Sequence, residues 1–168
     1  MNAAKITAGI QYAALPFRIE GRQIRVLLIT SRETHRWVIP KGWPIRGLKP
    51  QEAAAVEAAE EAGLIGEVAG RPIGSYKYMK HLKGEHAAAV QVIVFPFRVS
   101  DRAARWKEQD QRTHRWFRYR RAAALVAEPG LRRLIREFGA ARSPSPLARG
   151  LRTYRAWRAG IRARHAQG

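Results

Sequence analysis

Three glutamates near the middle of the chain carry the clearest chemical signal in the sequence. Glu57, Glu60 and Glu61 lie in the alanine-rich run QEAAAVEAAEEA. At 3.6 residues per turn, spacings of three and four place the three carboxylates on one helix face, where they repel one another. A hard divalent cation that prefers oxygen ligands, Mg²⁺ or Mn²⁺, would relieve this repulsion. The competing interpretation is a solvated acidic face that pairs with nearby arginines.

The helix that carries these glutamates has well-marked predicted ends. Pro50 suits the first helical position because its missing N–H has no partner there. Glu52 places a negative charge in the first turn, and Gly63 is a typical C-terminal cap. We expect the other helix face to pack on a sheet, and that face carries Ala55, Ala58, Ala59 and Ala62.

Strands and further helices surround this helix in the sequence. Apolar and β-branched runs predict strands, and helical spacing predicts two more helices before a linker of the composition ARSPSP. Mixed strands with helices before and after them favour an α/β or α+β sandwich. The predicted strands cover 7–17, 24–30, 37–39, 71–79, 88–99 and 116–119, the helices cover 121–127 and 130–138, and the linker covers 141–146.

The segment WVIPKGWPIRGLKPQEAAAVEAAEEAGL resembles the Nudix box, G-x5-E-x7-R-E-U-x-E-E-x-G-U. Gly42 matches the first glycine of that pattern, and Glu57 matches the glutamate of the R-E pair. Ala58 takes the apolar position, and the box ends with Glu60, Glu61, Gly63 and Leu64. This resemblance runs from about residue 7 to residue 138. It implies a Nudix α/β/α sandwich with a mixed β-sheet over residues 1–140. Composition indicates a basic, Arg-rich extension over 141–168, in which helical spacing of apolar residues predicts an amphipathic tail helix with Leu151, Tyr154, Trp157 and Ile161.

Two positions of the box differ from the family pattern. Leu48 stands where the first glutamate of the box is expected, and Val56 stands where the arginine is expected. In the family these side chains orient the catalytic helix, often as an ion pair. Exchange of a paired charge for packed apolar groups is compatible with a stable fold, but loss of the groups that hold a metal ligand lowers activity. We therefore expect Val56→Arg to restore rate only together with Leu48→Glu.

The resemblance also implies a mechanism, the metal-assisted hydrolysis of a diphosphate that is linked to another group. Glu57 and Glu61 would bind Mg²⁺ or Mn²⁺, and a backbone carbonyl of the turn at Lys41 and Gly42 would complete the protein ligands. Glu60 would serve as a further ligand or as the base. The alternative is a catalytically weakened Nudix domain that binds RNA or another polyanion.

Within the superfamily, the stretch FRIEGRQIRVLLITSRETHRWVIPKG is similar to the diphosphoinositol polyphosphate phosphohydrolases, which also cleave diadenosine polyphosphates. The first strand lacks the basic residues of that group, which leaves dinucleoside polyphosphates open, and Trp43 could stack on a base. The side chains that this likeness assigns to substrate phosphates are Thr30, Arg32, Lys41, Lys80, His81, Lys83, His86, Arg112 and His114.

Charge and composition set further limits on function. The 32 Lys and Arg against 13 Asp and Glu give a net charge of +19, and 25 of these basic residues lie before residue 141. Such an excess attracts polyphosphates, anionic surfaces and nucleic acid, and the Arg-rich 141–168 segment is a further candidate for nucleic-acid binding.

Other features of the composition limit the kinds of site and the location. The absence of Cys excludes disulfides and thiolate sites. Because no apolar run has the length of a transmembrane span and the first 20 residues lack a secretory pattern, we expect a cytoplasmic protein. We also expect a monomer or a homodimer.

Overall fold

The computed structural model describes residues 7–81 and 87–143. These ranges hold eight strands, three α-helices and one short 3₁₀ turn at Gln109–Gln111. In chain order the elements are β1 (Thr7–Glu20), β2 (Gln23–Thr30), β3 (Trp37–Val38), β4 (Lys41–Gly42), α1 (Pro50–Ala62), β5 (Leu64–Val68), β6 (Gly74–His81), β7 (Ala87–Arg102), β8 (His114–Arg118), α2 (Tyr119–Leu125) and α3 (Pro129–Arg142).

The centre of the mixed sheet is the long parallel pair of β1 and β7, which stays in contact from Thr7 to Phe17. Strand β2 runs antiparallel to β1, and it carries β3 and β8 as antiparallel neighbours. Strand β7 pairs with β6 along its first half and with β5 along its second half. The mixed sheet expected from the sequence is therefore confirmed.

Helices cover both faces of this sheet. On one face, Ala54, Ala58 and Ala62 of α1 pack on a cluster that includes Ile29 and Phe95. On the other face, α2 and α3 cover a larger cluster, to which α3 contributes Leu131, Leu134, Ile135 and Phe138. The arrangement is the predicted α/β/α sandwich, and the alanines allow α1 to approach the sheet closely. Ala59 was expected on this buried face but is exposed.

Helix α1 has the ends that the sequence predicts. Pro50 is its first residue, and the Glu52 carboxylate accepts a hydrogen bond of 2.8 Å from the Lys49 N–H. Gly63 ends the helix in the left-handed conformation, with φ of 65°, and its N–H contacts the carbonyls of Ala58 and Ala59. A glycine is favoured there because other residues are strained at positive φ.

Some boundaries differ from the sequence prediction. Strand β5 was not predicted, because its only buried residue is Leu64 and its centre is Gly66. Gly66 is required by a close approach, since a Cβ on it would collide with the Arg98 carbonyl of β7. The predicted linker over 141–146 begins inside α3, which continues to Arg142. The rest of the predicted extension, including its proposed tail helix, lies outside the described residues.

No helix within the described residues is long and apolar enough to cross a membrane.

Candidate active site

Three glutamates of α1, Glu57, Glu60 and Glu61, line one open cleft with a volume of about 580 Å³. The same cleft is lined by basic side chains from three other parts of the chain, Arg32, Lys41 and Lys80. It lies where α1 meets the β1–β4 edge, because Lys41 and Gly42 pair with Ala13 and Tyr12. The short strand β4 therefore replaces the turn that was predicted at these two residues.

Glu61 is the most buried of the three glutamates, with 8% of its surface exposed. Its Oε2 accepts a 3.1 Å hydrogen bond from the Lys41 N–H, and its Oε1 is paired with the Arg112 guanidinium. Burial raises the pKa of the Glu61 carboxyl to about 7, although Arg112 and Lys41 act in the opposite direction. The site therefore holds a carboxylate whose charge is poorly solvated and depends on nearby cations.

Glu57 lies directly above the bare backbone of Gly42. A Cβ on Gly42 would collide with the Glu57 carboxylate, so this glycine is the residue that permits the close approach. Burial raises the pKa of Glu57, and the neighbouring carboxylates of Glu60 and Glu108 raise it further. Mutual repulsion of this kind is the condition that a bound cation relieves.

Glu60 lies at the rim of the cleft and has a cationic partner of its own. Its carboxylate accepts a 2.7 Å hydrogen bond from Lys107 Nζ, and 39% of its side chain is exposed. An exposed pair of this type contributes little to stability. Glu60 is therefore partly solvated and paired with Lys107, although it lines the same cleft as Glu57 and Glu61.

The donor chemistry of the site fits a hard divalent cation, but the side chains do not form a complete ligand set. Among residues 7–81 and 87–143, no three acidic or histidine side chains converge closely enough to hold a metal ion. The expectation that all three glutamates act as ligands stays a prediction, and in this structure the Glu60 carboxylate is paired with Lys107. Glu57 and Glu61 are the carboxylates that lie deepest in the cleft, beside the backbone of Gly42.

Three of the predicted phosphate-binding residues, Arg32, Lys41 and Lys80, place basic side chains in the lining of the cleft. Arg32 is largely exposed and lies 3.5 Å from the Glu108 carboxylate. Lys41 is half-buried, and desolvation lowers its pKa. Lys80 lies over the Trp43 ring, 4.9 Å from its centroid, and both side chains line the cleft.

Two other predicted phosphate-binding residues have structural partners instead. Thr30 is buried, and its hydroxyl accepts a 2.9 Å hydrogen bond from the Thr113 N–H. His114 packs edge-on against Trp106 at 5.3 Å, and burial and then Arg102 lower its pKa. Neither residue is among those that line the cleft, and their assignment to substrate phosphates stays a prediction.

Arg112 lies in the cleft but is paired with protein carboxylates. It lines the cleft as predicted, but only 7% of its side chain is exposed and it is paired with both Glu61 and Glu108. It therefore binds protein carboxylates in this structure rather than presenting a free guanidinium to a phosphate.

The remaining predicted phosphate ligands belong to the loop after β6. Lys83 and His86 lie outside the described residues. His81 is the last residue of β6, and its side chain is not among those described.

Sequence analysis missed two acidic residues of the cleft, Glu108 and Glu128. Glu108 follows no recognisable motif, although its spacing of four from Arg112 is typical of an ion pair. Glu128 directly precedes the first residue of α3, Pro129, and its Oε2 is buried without a hydrogen-bond partner. Arg36 lies 3.8 Å from the Glu128 carboxylate and also lines the cleft.

Comparison with known families assigns the chain to one of them. Residues 10–138 match the family model of the NUDIX domain, which is most of the chain and includes all three helix glutamates. The chain therefore belongs to the Nudix hydrolase family. This confirms the superfamily that the box residues indicated.

Individual relatives are similar at moderate identity. Nudix hydrolase 13, mitochondrial, from Arabidopsis thaliana is 30% identical over 121 residues, which cover 69% of this chain and 60% of that protein. Nudix hydrolase 21, chloroplastic, from the same plant is 29% identical over 139 residues, which cover 79% of this chain and 68% of that protein. The matches to the first two relatives span about 60% of their lengths.

Solved structures share the fold at lower identity. An Ap4A hydrolase from C. elegans has a TM-score of 0.57 and 19% identity, and the match covers 78% of this chain and 96% of that one. The E. coli dihydroneopterin triphosphate pyrophosphohydrolase also has a TM-score of 0.57, with 16% identity over 79% of this chain and 95% of that one. These similarities confirm the α/β/α architecture.

Proposed function

We propose that this chain is a divalent-metal-dependent hydrolase that cleaves a phosphoanhydride bond in a polyphosphorylated small molecule. The observation that carries the proposal is the shared cleft of Glu57, Glu61 and the cations Arg32, Lys41 and Lys80. Two desolvated carboxylates beside several cations suit a metal and the phosphates that it neutralises. The family of the chain supports the same reaction class.

The side chains present suggest a division of roles. Glu57, Glu61 and a backbone carbonyl at Lys41 or Gly42 would hold Mg²⁺ or Mn²⁺, which when bound neutralises phosphate charge and lowers the pKa of a bound water. Lys41 offers an ammonium group to a phosphate oxygen from within the cleft, and Arg32 and Lys80 reach it from more exposed positions. Glu60 stays a candidate for either a further ligand or the base.

Two substrate classes fit the cleft, dinucleoside polyphosphates such as diadenosine polyphosphates, and diphosphoinositol polyphosphates. The position of Trp43 favours the nucleotides, because 40% of this side chain is exposed and its ring lies in the cleft with Lys80 beside it. An exposed aromatic ring is a stacking surface for a base, which an inositol cannot use in the same way. The name of the C. elegans neighbour, an Ap4A hydrolase, points to the same class.

A release assay tests the proposal with the full chain. Diadenosine polyphosphates, nucleoside diphosphate conjugates and a diphosphoinositol polyphosphate are incubated with Mg²⁺, with Mn²⁺ and with EDTA, and the products are separated by ion-exchange chromatography. We expect turnover of at least one class that is lost in EDTA. No turnover on any substrate with either metal would contradict the proposal.

A second candidate function is binding of RNA or another polyanion without catalysis. It is favoured by the loss of both box partners at Leu48 and Val56 and by the net charge of +19. Filter binding of RNA at several salt concentrations measures it, because phosphate contacts give an affinity that falls steeply with salt. Tight, salt-sensitive binding without turnover would favour this function. The cytoplasmic location and the monomer or homodimer state stay predictions.

A further inference from the structure

Helix α1 carries no cation of its own to balance its glutamates. Its sequence, PQEAAAVEAAEEA, contains no Lys or Arg. Val56 occupies the box position of the family's arginine, and Leu48 is 41% exposed, so the structure gives no packed apolar substitute for the missing ion pair. The charge that holds the buried carboxylates must therefore come from another element.

A single segment, residues 102–112, contacts the carboxyl-terminal end of α1 at several points. Its main chain donates to the last carbonyls of the helix, with Glu108 N–H to Glu60 at 3.1 Å and Ala103 N–H to Gly63 at 2.8 Å. Arg102 Nε donates to the Ala62 carbonyl at 3.1 Å. The 102–112 segment thus satisfies carbonyls that a helix end leaves without partners.

The same segment supplies a cation to each of the last two glutamates. Lys107 pairs with Glu60 at the rim, and Arg112 pairs with Glu61 in the interior. The two pairs differ in exposure, since 66% of the Lys107 side chain is exposed but only 7% of Arg112. The buried pair is the one whose loss would leave an uncompensated charge.

Every nitrogen of the Arg112 guanidinium is engaged by the protein. Nε donates to Glu108 Oε2 at 2.6 Å, Nη1 donates to the Thr30 carbonyl at 2.9 Å, and Nη2 contacts Glu61 Oε1. A planar guanidinium with several fixed donors holds such a set of acceptors, whereas a lysine ammonium cannot reproduce the fork. Arg112 therefore fixes the Glu61 carboxylate relative to both β2 and the 102–112 segment.

We propose that Arg112 is the positioning residue for Glu61 and that it replaces the ion pair missing from box positions 48 and 56. This inference rests on the proposed function, in which Glu61 binds the metal. Arg112 acts through Glu61 and does not contact the substrate. Glu108 completes the arrangement by holding the other side of the guanidinium.

The first test is Mn²⁺ affinity, measured by electron paramagnetic resonance on the full chain without substrate. Groups that orient a metal ligand typically contribute 10- to 100-fold to affinity, so we expect Arg112→Met to weaken Mn²⁺ binding by about that factor. Arg105→Met is the matched control, because Arg105 is an exposed arginine of the same segment. It should leave the affinity unchanged. Unchanged affinity in Arg112→Met would overturn the inference.

Steady-state kinetics separate positioning from substrate contact. A positioning role predicts a fall in kcat at saturating metal with little change in KM, whereas a phosphate contact predicts a raised KM with unaltered Mn²⁺ affinity. The second pattern would overturn the inference. Arg112→Lys should resemble Arg112→Met, since it keeps the charge but loses the fork.

Restoring the box ion pair distinguishes a positioning role of Arg112 from a general structural role. We expect Leu48→Glu with Val56→Arg to recover at least tenfold of the Mn²⁺ affinity lost in Arg112→Met. Without any recovery, the restored box pair and the Arg112–Glu61 pair would not be equivalent, which would contradict the inference.

A second variant applies if Arg112→Met fails to fold by circular dichroism. Glu108→Gln removes one carboxylate partner of Arg112, and it should weaken Mn²⁺ binding by a smaller factor. Unchanged affinity in Glu108→Gln would then overturn the inference.

The outcome for the unmodified chain distinguishes two failures. If the unmodified chain neither binds Mn²⁺ nor hydrolyses any phosphoanhydride, the proposed function is wrong, and the role of Arg112 that depends on it is wrong as well. If it does both and Arg112→Met behaves the same way, only the role of Arg112 fails.

Discussion

The Arg112 guanidinium contacts the Glu61 carboxylate across 51 residues of sequence. The two residues come from different elements, since Glu61 lies in the last turn of α1 and Arg112 shortly precedes β8. The contact is buried on both sides, with 7% and 11% of the two side chains exposed. It links the conformation of the 102–112 segment to the position of the most buried carboxylate in the cleft.

Removal of the Glu61 charge should abolish turnover without unfolding the protein. Glu61→Gln keeps the size of the side chain and the acceptor for the Lys41 N–H, so we expect a folded protein with at least 100-fold lower kcat. Glu67→Gln is the matched control, because Glu67 is exposed on β5 outside the cleft. Release assays and circular dichroism check both variants. Full turnover in Glu61→Gln would refute its assigned role.

Stability of the metal-free protein should fall as the pH rises. Burial raises the pKa of Glu61 to about 7, so the folded chain holds this proton more tightly than the unfolded chain does. The stabilising contribution is fully present below about pH 4.5 and is lost as the pH rises through 7, by up to about 3 kcal/mol. The pKa of Glu57 is also raised, so Glu61→Gln should reduce this slope but not remove it.

Urea unfolding in EDTA between pH 5 and pH 8 measures this slope. An unchanged slope in Glu61→Gln would show that the carboxyl is not the group responsible. Addition of Mg²⁺ at pH 8 should recover stability in the unmodified chain, since a ligand that binds only the folded state stabilises it.

Gly63 is expected to tolerate no side chain. Its φ of 65° strains any other residue, and a Cβ would lie 2.5 Å from the Trp106 indole. We expect Gly63→Ala to lower the free energy of unfolding by more than the 1–3 kcal/mol or so typical of a strained φ alone. Gly21→Ala separates the two effects, because Gly21 has φ of 59° and a Cβ added to it would meet no atom within 4 Å. Equal losses in the two variants would show that the Trp106 contact is unimportant.

Gly42 should affect catalysis more than stability. A methyl group there displaces the Glu57 carboxylate, so Gly42→Ala should lower kcat by about 10- to 100-fold. Gly70→Ala is the control, since Gly70 has open space around it and lies away from the cleft. Kinetics and thermal unfolding of the two variants test this assignment, which is wrong if Gly42→Ala turns over normally.

Local sequence signals predicted the fold and the helix carboxylates well, because both depend on short-range patterns. Pro50 and Gly63 mark the ends of α1. The alanine spacing marks part of its buried face, since Ala58 and Ala62 are buried but Ala59 is exposed. The site partners depend on long-range contacts instead. Nothing in the sequence near Arg112 indicates that its nitrogens are occupied by Thr30, Glu61 and Glu108, and so a phosphate contact was the natural prediction.

The same limit applies to the contacts of Thr30 and His114. Thr30 ends a buried strand in a motif similar to phosphate-binding ones, but the return of the chain at Thr113 occupies its hydroxyl. His114 is polar and close in sequence to Arg112, but its ring packs edge-on against Trp106. The pairing of β8 with β2 places Thr113 and His114 beside the end of β2. The register of this pairing cannot be predicted from the sequence of either strand alone.

The role of Trp43 distinguishes the two candidate substrate classes. Stacking of one base on an aromatic ring contributes about 1–3 kcal/mol, so Trp43→Ala should raise KM for a dinucleoside polyphosphate by about 5- to 150-fold. Trp43→Phe keeps a stacking surface and should lie close to the unmodified chain. Hydrolysis of a diphosphoinositol polyphosphate should change little in either variant, because the proposed function assigns its phosphates to the cleft cations Arg32, Lys41 and Lys80. An equal rise in KM for both classes would instead mean that Trp43 supports the cleft through its contact with Lys80 rather than by stacking on a base.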